Sequence, residues 1–145
     1  MEFVFSEPIP SKPVIGDYFA QPESVISKKI VDILEPMKIK GIQLIPATVK
    51  SNKGDIYEDF FYVYIHYIEA MDKEKTTYEL DYGMYSFDSF LLDEKILRNI
   101  PLEERLIFKM VEDRTIMLYH CSIVNAIMAT NPEGVKFTKV EDWSF

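Results

Sequence analysis

Two segments of the chain have apolar residues at the three- and four-residue spacing of an amphipathic helix. The first follows Ser24, a suitable N-cap, and stops at Pro36. The second follows Ser122 as its cap and stops at the turn residues 131–134. Their apolar positions are Val25, Ile26, Ile30, Ile33 and Leu34 in the first, and Ile123, Val124, Ile127 and Met128 in the second.

Alternation of side-chain character predicts strands in six further segments, which are residues 42–49, 60–68, 78–84, 106–111, 115–119 and 135–140. In residues 60–68 both faces are apolar or aromatic, which predicts a central strand covered on both sides or one face kept for a partner. Pro46 lacks an N–H and so predicts an edge or a bulge. The alternation changes phase near Gly83, which predicts a bulge or bend there. Residues 106–111 and 115–119 are expected to form a hairpin.

These elements predict an α+β fold, with a mainly antiparallel β-sheet and two α-helices packed on it. Four prolines among the first 22 residues prevent regular helix and predict an extended arm, namely Pro8, Pro10, Pro13 and Pro22. The length of 145 residues suits one domain, residues 1–145, made of the arm 1–22 and a body 23–145.

The charge of the chain is concentrated in one block. Sixteen basic and 24 acidic residues give a net charge of −8, which disfavours broad nucleic-acid binding. Residues 55–94 contain eleven acidic residues against only Lys73 and Lys75, a net charge of −9, and seven of the nine tyrosines. The segments on either side are nearly neutral. The acidic, tyrosine-rich block 55–94 is therefore the feature to explain.

Few residues suggest catalysis, because the sequence has no phosphate loop, nucleophile elbow or zinc-binding helix motif. His120 and Cys121 are adjacent where a strand meets a helix, which would suit a thiol nucleophile, but a core cysteine is the favoured interpretation. His66 is interpreted as a packed or interface histidine and not as a metal ligand. We expect no catalytic residue, no cofactor and no metal.

A single cysteine excludes an intramolecular disulfide. The first residues resemble no export signal, and no apolar run reaches the ~18 residues of a membrane span. We therefore expect a cytoplasmic protein that does not act at a membrane.

The carboxylates of the block leave several interpretations open. Asp55, Glu58 and Asp59, or Glu79 and Asp81, could form an acid/base pair, a metal cluster, a solvated face or a face that meets a partner. Tyrosine packs well in strands, yet tyrosines among carboxylates also suit a protein-binding surface that steers a basic partner. The residues alone do not separate these two roles of tyrosine. The predicted partner-binding residues are Asp55, Glu58, Asp59, Tyr62, Tyr64, Glu79, Asp81 and Asp88.

Several stretches resemble a bacterial immunity-protein family, the eleventh numbered among the polymorphic-toxin immunity families. They are Ser24 to Leu34, Ile42 to Ala47, Phe61 to Ile65, Leu106 to Lys109, Thr115 to Leu118, Ser122 to Met128 and Gly134 to Phe137. The resemblance implies a cytoplasmic protein that binds and neutralises a cognate toxin, usually encoded beside it. The family has no catalytic residues to transfer, and no motif marks its toxin-binding positions.

The leading hypothesis is a non-enzymatic immunity protein whose acidic block attracts a basic toxin. Two other classes are kept beside it: a small hydrolase or transferase that uses Cys121 or His120, and a structural adaptor in a larger complex. The edge near Pro46 and the aromatic strand would both allow a homodimer.

Overall fold

A computed structural model describes residues 2–4, 18–19, 24–51 and 53–144. The strands are β1 (Glu2–Val4), β2 (Tyr18–Phe19), β3 (Val25–Ser27), β4 (Ile42–Lys50), β5 (Ile56–Ile65), β6 (Tyr67–Ile68), β7 (Glu79–Asp81), β8 (Met84–Ser86), β9 (Ile107–Met110) and β10 (Met117–Tyr119). The α-helices are α1 (Lys28–Leu34), α2 (Glu94–Arg98) and α3 (Cys121–Met128), and short 3-10 turns cover Glu35–Met37, Leu102–Glu104 and Val140–Asp142.

The chain forms two compact units. The first contains the described residues of Met1–Lys38, Ile42–Tyr64 and Val124–Val135, and the second contains those of Ile39–Gly41, Ile65–Ile123 and Lys136–Phe145. The described strands fall into a five-stranded, a three-stranded and a two-stranded sheet, and most strand pairs are antiparallel. The predicted α+β class with mainly antiparallel pairing is thus confirmed, although the strands are shared among three sheets. The predicted proline-rich arm lies mostly outside the described residues.

In the first unit, β5 is the central strand of the sheet β1-β4-β5-β3-β2, which confirms the predicted central position. The predicted single strand 60–68 is wrong, because β5 ends at Ile65 and residues 67–68 form β6 in another sheet. Val25, Val49 and Phe60 are buried together, and the half-buried Tyr57 packs against them. The pairing of β1 with β4 covers Thr48–Lys50 and does not extend to Pro46. The buried face of α1 is formed by Ile30, Val31 and Leu34.

The predicted start of the first helix at Ser24 is wrong. Residues 25–27 form β3, which pairs antiparallel with β5, and the helix begins at Lys28 with Ser27 as its N-cap. The Val63 N–H donates to the carbonyl of Ser24 at 2.9 Å and continues this ladder. Two apolar β-branched residues suit a strand as well as a helix turn, and pairing with β5 decides between them.

In the second unit, β9 lies between β10 and β6. The predicted hairpin of β9 and β10 is confirmed, because the two strands pair antiparallel with Phe108 opposite Leu118. Two buried clusters fill this unit: Met71, Phe87, Phe90 and Met110 form one, and Ile68, Ala70 and Phe108 form the other.

Three further predictions for this part of the chain need correction. Residues 78–84 are not one bent strand, because β7 and β8 form a hairpin with Tyr82 and Gly83 at its turn. Residues 135–140 form no strand, and Phe137 instead packs edge-on against Tyr119, with ring centroids 5.2 Å apart. The last helix begins at Cys121 and not after Ser122.

Candidate functional site

The structure divides the eight predicted partner-binding residues between the two units, and each set is described on its own. The first set, called the β5 group, lies along β5 and the turn before it and consists of Asp55, Glu58, Asp59, Tyr62 and Tyr64. The second, called the hairpin group, lies on and just after the β7–β8 hairpin and consists of Glu79, Asp81 and Asp88.

In the β5 group, a polar turn positions Asp55. The buried Ser51 hydroxyl accepts a hydrogen bond from the Asp55 N–H at 3.1 Å and lies 3.2 Å from a carboxylate oxygen of Asp55. The Ser51 N–H donates to the carbonyl of Asp55 at 2.9 Å. These bonds close the turn between β4 and β5 and leave Asp55 exposed at the start of β5.

Asp59 interrupts the alternation of β5. Its φ of +65° is in the left-handed region, which short polar side chains such as Asp tolerate best. Glu58 and Asp59 are both exposed although they are consecutive in a strand, while Phe60 and Val63 are buried farther along. The irregular residue therefore places two adjacent carboxylates at the surface.

Asp59 also contributes to the electrostatic environment of Lys28. The Asp32 carboxylate, 2.7 Å from the Lys28 ammonium, raises the pKa of Lys28, and the charges of Asp59 and Glu35 add to this effect. Lys28 is thus held mainly by Asp32, one turn along α1.

In the hairpin group, all three carboxylates are exposed. Glu79 and Asp81 share one face of the hairpin, because Glu79 pairs with Ser86 and Asp81 with Met84. Within the described chain, the side chains of Glu58, Glu79, Asp81 and Asp88 form no hydrogen bond or ion pair. These carboxylates therefore present uncompensated charge.

The two cations of the block, Lys73 and Lys75, lie near carboxylates that are not in the hairpin group. Lys73 pairs with Glu69 and lies over the ring of Tyr85, with its Nζ 5.4 Å from the ring centroid. The contact with Glu69, followed by that with Tyr85, raises the pKa of Lys73. Lys75 lies 4.0 Å from Asp72. Neither cation is paired with a carboxylate of the hairpin group.

The structure also separates the tyrosines by role. Tyr57 packs in the first unit, and Tyr78 and Tyr85 pack against a buried cluster of the second with ring centroids 5.4 Å apart. Three tyrosines are exposed: Tyr64 at 51%, Tyr67 at 41% and Tyr82 at 95%. The centroid of the Tyr67 ring lies 6.0 Å from Nζ of Lys109 and 5.4 Å from Cζ of Arg114. Tyr82 is absent from the predicted residues, and the only sequence signal for it is the phase change at Gly83.

At the start of α3, Cys121 is exposed, so the favoured interpretation of a core cysteine is wrong. Its Sγ lies 3.9 Å from Nδ1 of His120. That nitrogen accepts the Ser122 N–H at 3.2 Å and lies 2.8 Å from the Ser122 hydroxyl. His120 thus caps the helix, a role that the sequence pattern predicted for Ser122. This contact gives His120 a structural role at the start of α3.

His66 is half-buried and its ring lies against Gly41, which confirms the packed interpretation. The backbone N–H of His66 donates to the carbonyl of Gly41 at 2.9 Å. The second unit also contains a cleft of about 680 Å³, lined by charges of both signs from residues 69–75 and 93–98. Neither His120 nor Cys121 lines this cleft.

Among the residues that the structure describes, no group of His, Cys, Asp and Glu has the arrangement of a metal site.

Within the same part of the chain, no helix has the length and apolar character needed to cross a bilayer.

Comparison with known proteins defines the class of the chain. A model of an immunity protein family matches residues 3–142, which covers most of both units. The chain therefore belongs to the Immunity protein family (Imm11). Membership of this family indicates a role in toxin neutralisation, with a toxin as the partner. No curated protein matches the chain.

Proposed function

We propose that the chain neutralises a cognate toxin by binding it directly in the cytoplasm, without catalysis and through the exposed carboxylates and tyrosines of residues 55–94. The partner is a protein with a basic surface, and neither nucleic acid nor a membrane is needed. The observation that carries the proposal is the set of exposed carboxylates, Glu58, Glu79, Asp81 and Asp88, whose charge no neighbouring cation in the described chain offsets.

These exposed charges do not stabilise the chain itself. Within the hairpin group, unpaired carboxylates of one sign repel one another and contribute nothing to folding, so their concentration in one short segment needs another reason. A cluster of one sign speeds the encounter with an oppositely charged protein and disfavours wrong partners. Exposed aromatic rings add contact area at a low cost in side-chain entropy. A basic toxin supplies the complementary surface.

The test is co-expression with the toxin domain encoded beside the gene of this chain. We expect the two proteins to purify as a complex and growth to be restored in cells that express the toxin. The Cys121→Ser variant should restore growth as well as the wild type, because binding does not use the thiol. A wild-type chain that neither binds nor protects would contradict the proposal, and protection lost in Cys121→Ser would indicate catalysis.

A further inference from the structure

The β7–β8 hairpin has an unusual distribution of exposed side chains. Leu80 is 56% exposed, Met84 70% and Tyr82 95%, so three large apolar side chains of one short ribbon lie in solvent. The ribbon is a two-stranded sheet of its own. Tyr85, which pairs with Leu80, attaches the ribbon to the second unit. The Tyr85 ring packs on Tyr78 and on the buried cluster of that unit.

The turn of this hairpin has a residue that folding alone does not favour. Tyr82 has φ +48° and Gly83 has φ +78°, the two positive angles of a two-residue turn that prefers Asn, Asp or Gly at its first position. A tyrosine is disfavoured there, and no hydrogen bond or ring contact within the described residues compensates for it. A disfavoured conformation that holds an aromatic ring in solvent points to a role outside folding.

The charge around the ring indicates what covers it. Residues 79–88 contain three carboxylates, Glu79, Asp81 and Asp88, and no basic residue. Lys73 pairs with Glu69 and lies over the ring of Tyr85 on the packed side of the hairpin, and Lys75 Nζ lies 4.0 Å from an oxygen of Asp72, so neither cation pairs with a carboxylate of the hairpin. The surface complementary to this hairpin has cations around a pocket that accepts an aromatic ring. Aromatic anchors in such pockets carry much of the affinity of protein interfaces.

We infer that the β7–β8 hairpin is the anchor of the complex, with Tyr82 inserted into a pocket on the basic face of the toxin, and Glu79 and Asp81 against cations at its rim. This inference rests on the proposed function and deepens it, since it assigns the main contact to one element and one ring. The hairpin fixes the backbone of Tyr82 before the toxin arrives, so little backbone freedom is lost on binding.

The experiment compares three purified variants with the wild type: Tyr82→Asn, Tyr82→Phe and Lys38→Asn. Lys38 is the matched control, because it is exposed and also left-handed, with φ +51°, but lies outside the block 55–94. Urea unfolding measures stability, and isothermal titration with the toxin domain encoded beside the gene measures affinity. We expect the two Asn variants to unfold at a higher urea concentration than the wild type, because Asn tolerates the left-handed conformation.

Affinity then separates the variants. Tyr82→Asn should lose at least about 100-fold in affinity, the range of an interface anchor, while Tyr82→Phe and Lys38→Asn should stay within a few-fold of the wild type. If the wild type binds and Tyr82→Asn binds equally well, the inference is overturned and the proposed function stands. If the wild type does not bind, the proposed function fails with it.

Gel filtration of the chain alone distinguishes a second copy from a toxin as the occupant of the hairpin. We expect Tyr82→Asn to have the same oligomeric state as the wild type. A wild-type dimer that Tyr82→Asn converts to a monomer, with toxin affinity unchanged, would overturn the inference in favour of self-association.

Discussion

Replacement of Gly41 by alanine is expected to lower the free energy of unfolding by about 4 kcal/mol, from overpacking and backbone strain together. A Cβ at this position would lie 2.5 Å from Cδ2 and 2.6 Å from Cγ and Cε1 of His66, closer than van der Waals contact permits. The two backbones cannot move apart freely to relieve the clash, because the His66 backbone N–H donates to the Gly41 carbonyl at 2.9 Å. In addition, Gly41 has φ +80°, which disfavours any residue with a Cβ.

Gly54 supplies the control for this prediction. It has φ +89°, and a Cβ added there would meet no described atom within 4 Å, so Gly54→Ala adds the strain without the clash. It should therefore cost only about 1 kcal/mol. The double variant Gly41→Ala/His66→Ala has no imidazole ring for the new Cβ to meet, so this variant should be more stable than Gly41→Ala alone. Equal losses for Gly41→Ala and Gly54→Ala in urea unfolding would show that the contact with His66 is not tight.

Glu112 is the second position where a large effect is expected. It is 5% exposed, and its Oε1 accepts the N–H of the buried Met71 at 3.1 Å, while Oε2 has no partner among the described residues. The backbone ladder between β6 and β9 ends with the Val111 N–H on the carbonyl of Ile68, and the Glu112 side chain supplies the acceptor for the next buried donor.

Two substitutions of Glu112 distinguish the loss of the hydrogen-bond acceptor for Met71 from the loss of the carboxylate charge. Glu112→Gln keeps an oxygen for Met71 and removes a buried carboxylate with an unpaired oxygen, so it should be at least as stable as the wild type at neutral pH. Glu112→Ala leaves the Met71 N–H without an acceptor and opens a cavity, and should be about 3 kcal/mol less stable than Glu112→Gln. Thermal and urea unfolding measure both. Equal stability of the Ala and Gln variants would show that the hydrogen bond to Met71 contributes nothing.

Elements whose own residues decide their structure were predictable from the sequence. The apolar residues on both faces of β5 predict a central strand, and the strand is central in its sheet although Tyr64 is exposed. The charged residues between β9 and β10 similarly mark a hairpin turn that the strand pairing confirms. In both cases the local pattern and the long-range pairing favour the same structure.

Elements decided by distant partners were not predictable. Val25 and Ile26 suit a helix or a strand, and only β5 makes them a strand. Residues 135–140 alternate as a strand would, but no strand of the described chain pairs with them.

The exposed residues of the candidate site were also only partly predictable from the sequence. Composition identified the block 55–94, but burial separates Tyr57, Tyr78 and Tyr85, which pack inside, from Tyr64 and Tyr82, which are exposed. Side-chain exposure depends on tertiary packing, which a single sequence does not display. The left-handed turn at Tyr82 and the helix cap formed by His120 are likewise visible only in the structure.

The most direct measurement of the central claim is the affinity for the toxin domain of two triple charge-reversal variants, titrated over a range of salt concentrations. The first is Glu58→Lys/Glu79→Lys/Asp81→Lys, at exposed positions whose side chains form no bond within the described chain. The second is Glu35→Lys/Glu141→Lys/Asp142→Lys, at exposed positions outside the block 55–94. Both change the net charge equally, from −8 to −2.

If the acidic block binds a basic toxin, the first variant should lose about 100-fold or more in affinity at low salt, and its affinity should depend less on salt than that of the wild type. The second variant should stay within a few-fold of the wild type. Equal losses in the two variants would show that only net charge matters, and an unchanged affinity in the first would contradict the claim that the exposed carboxylates of residues 55–94 bind the toxin.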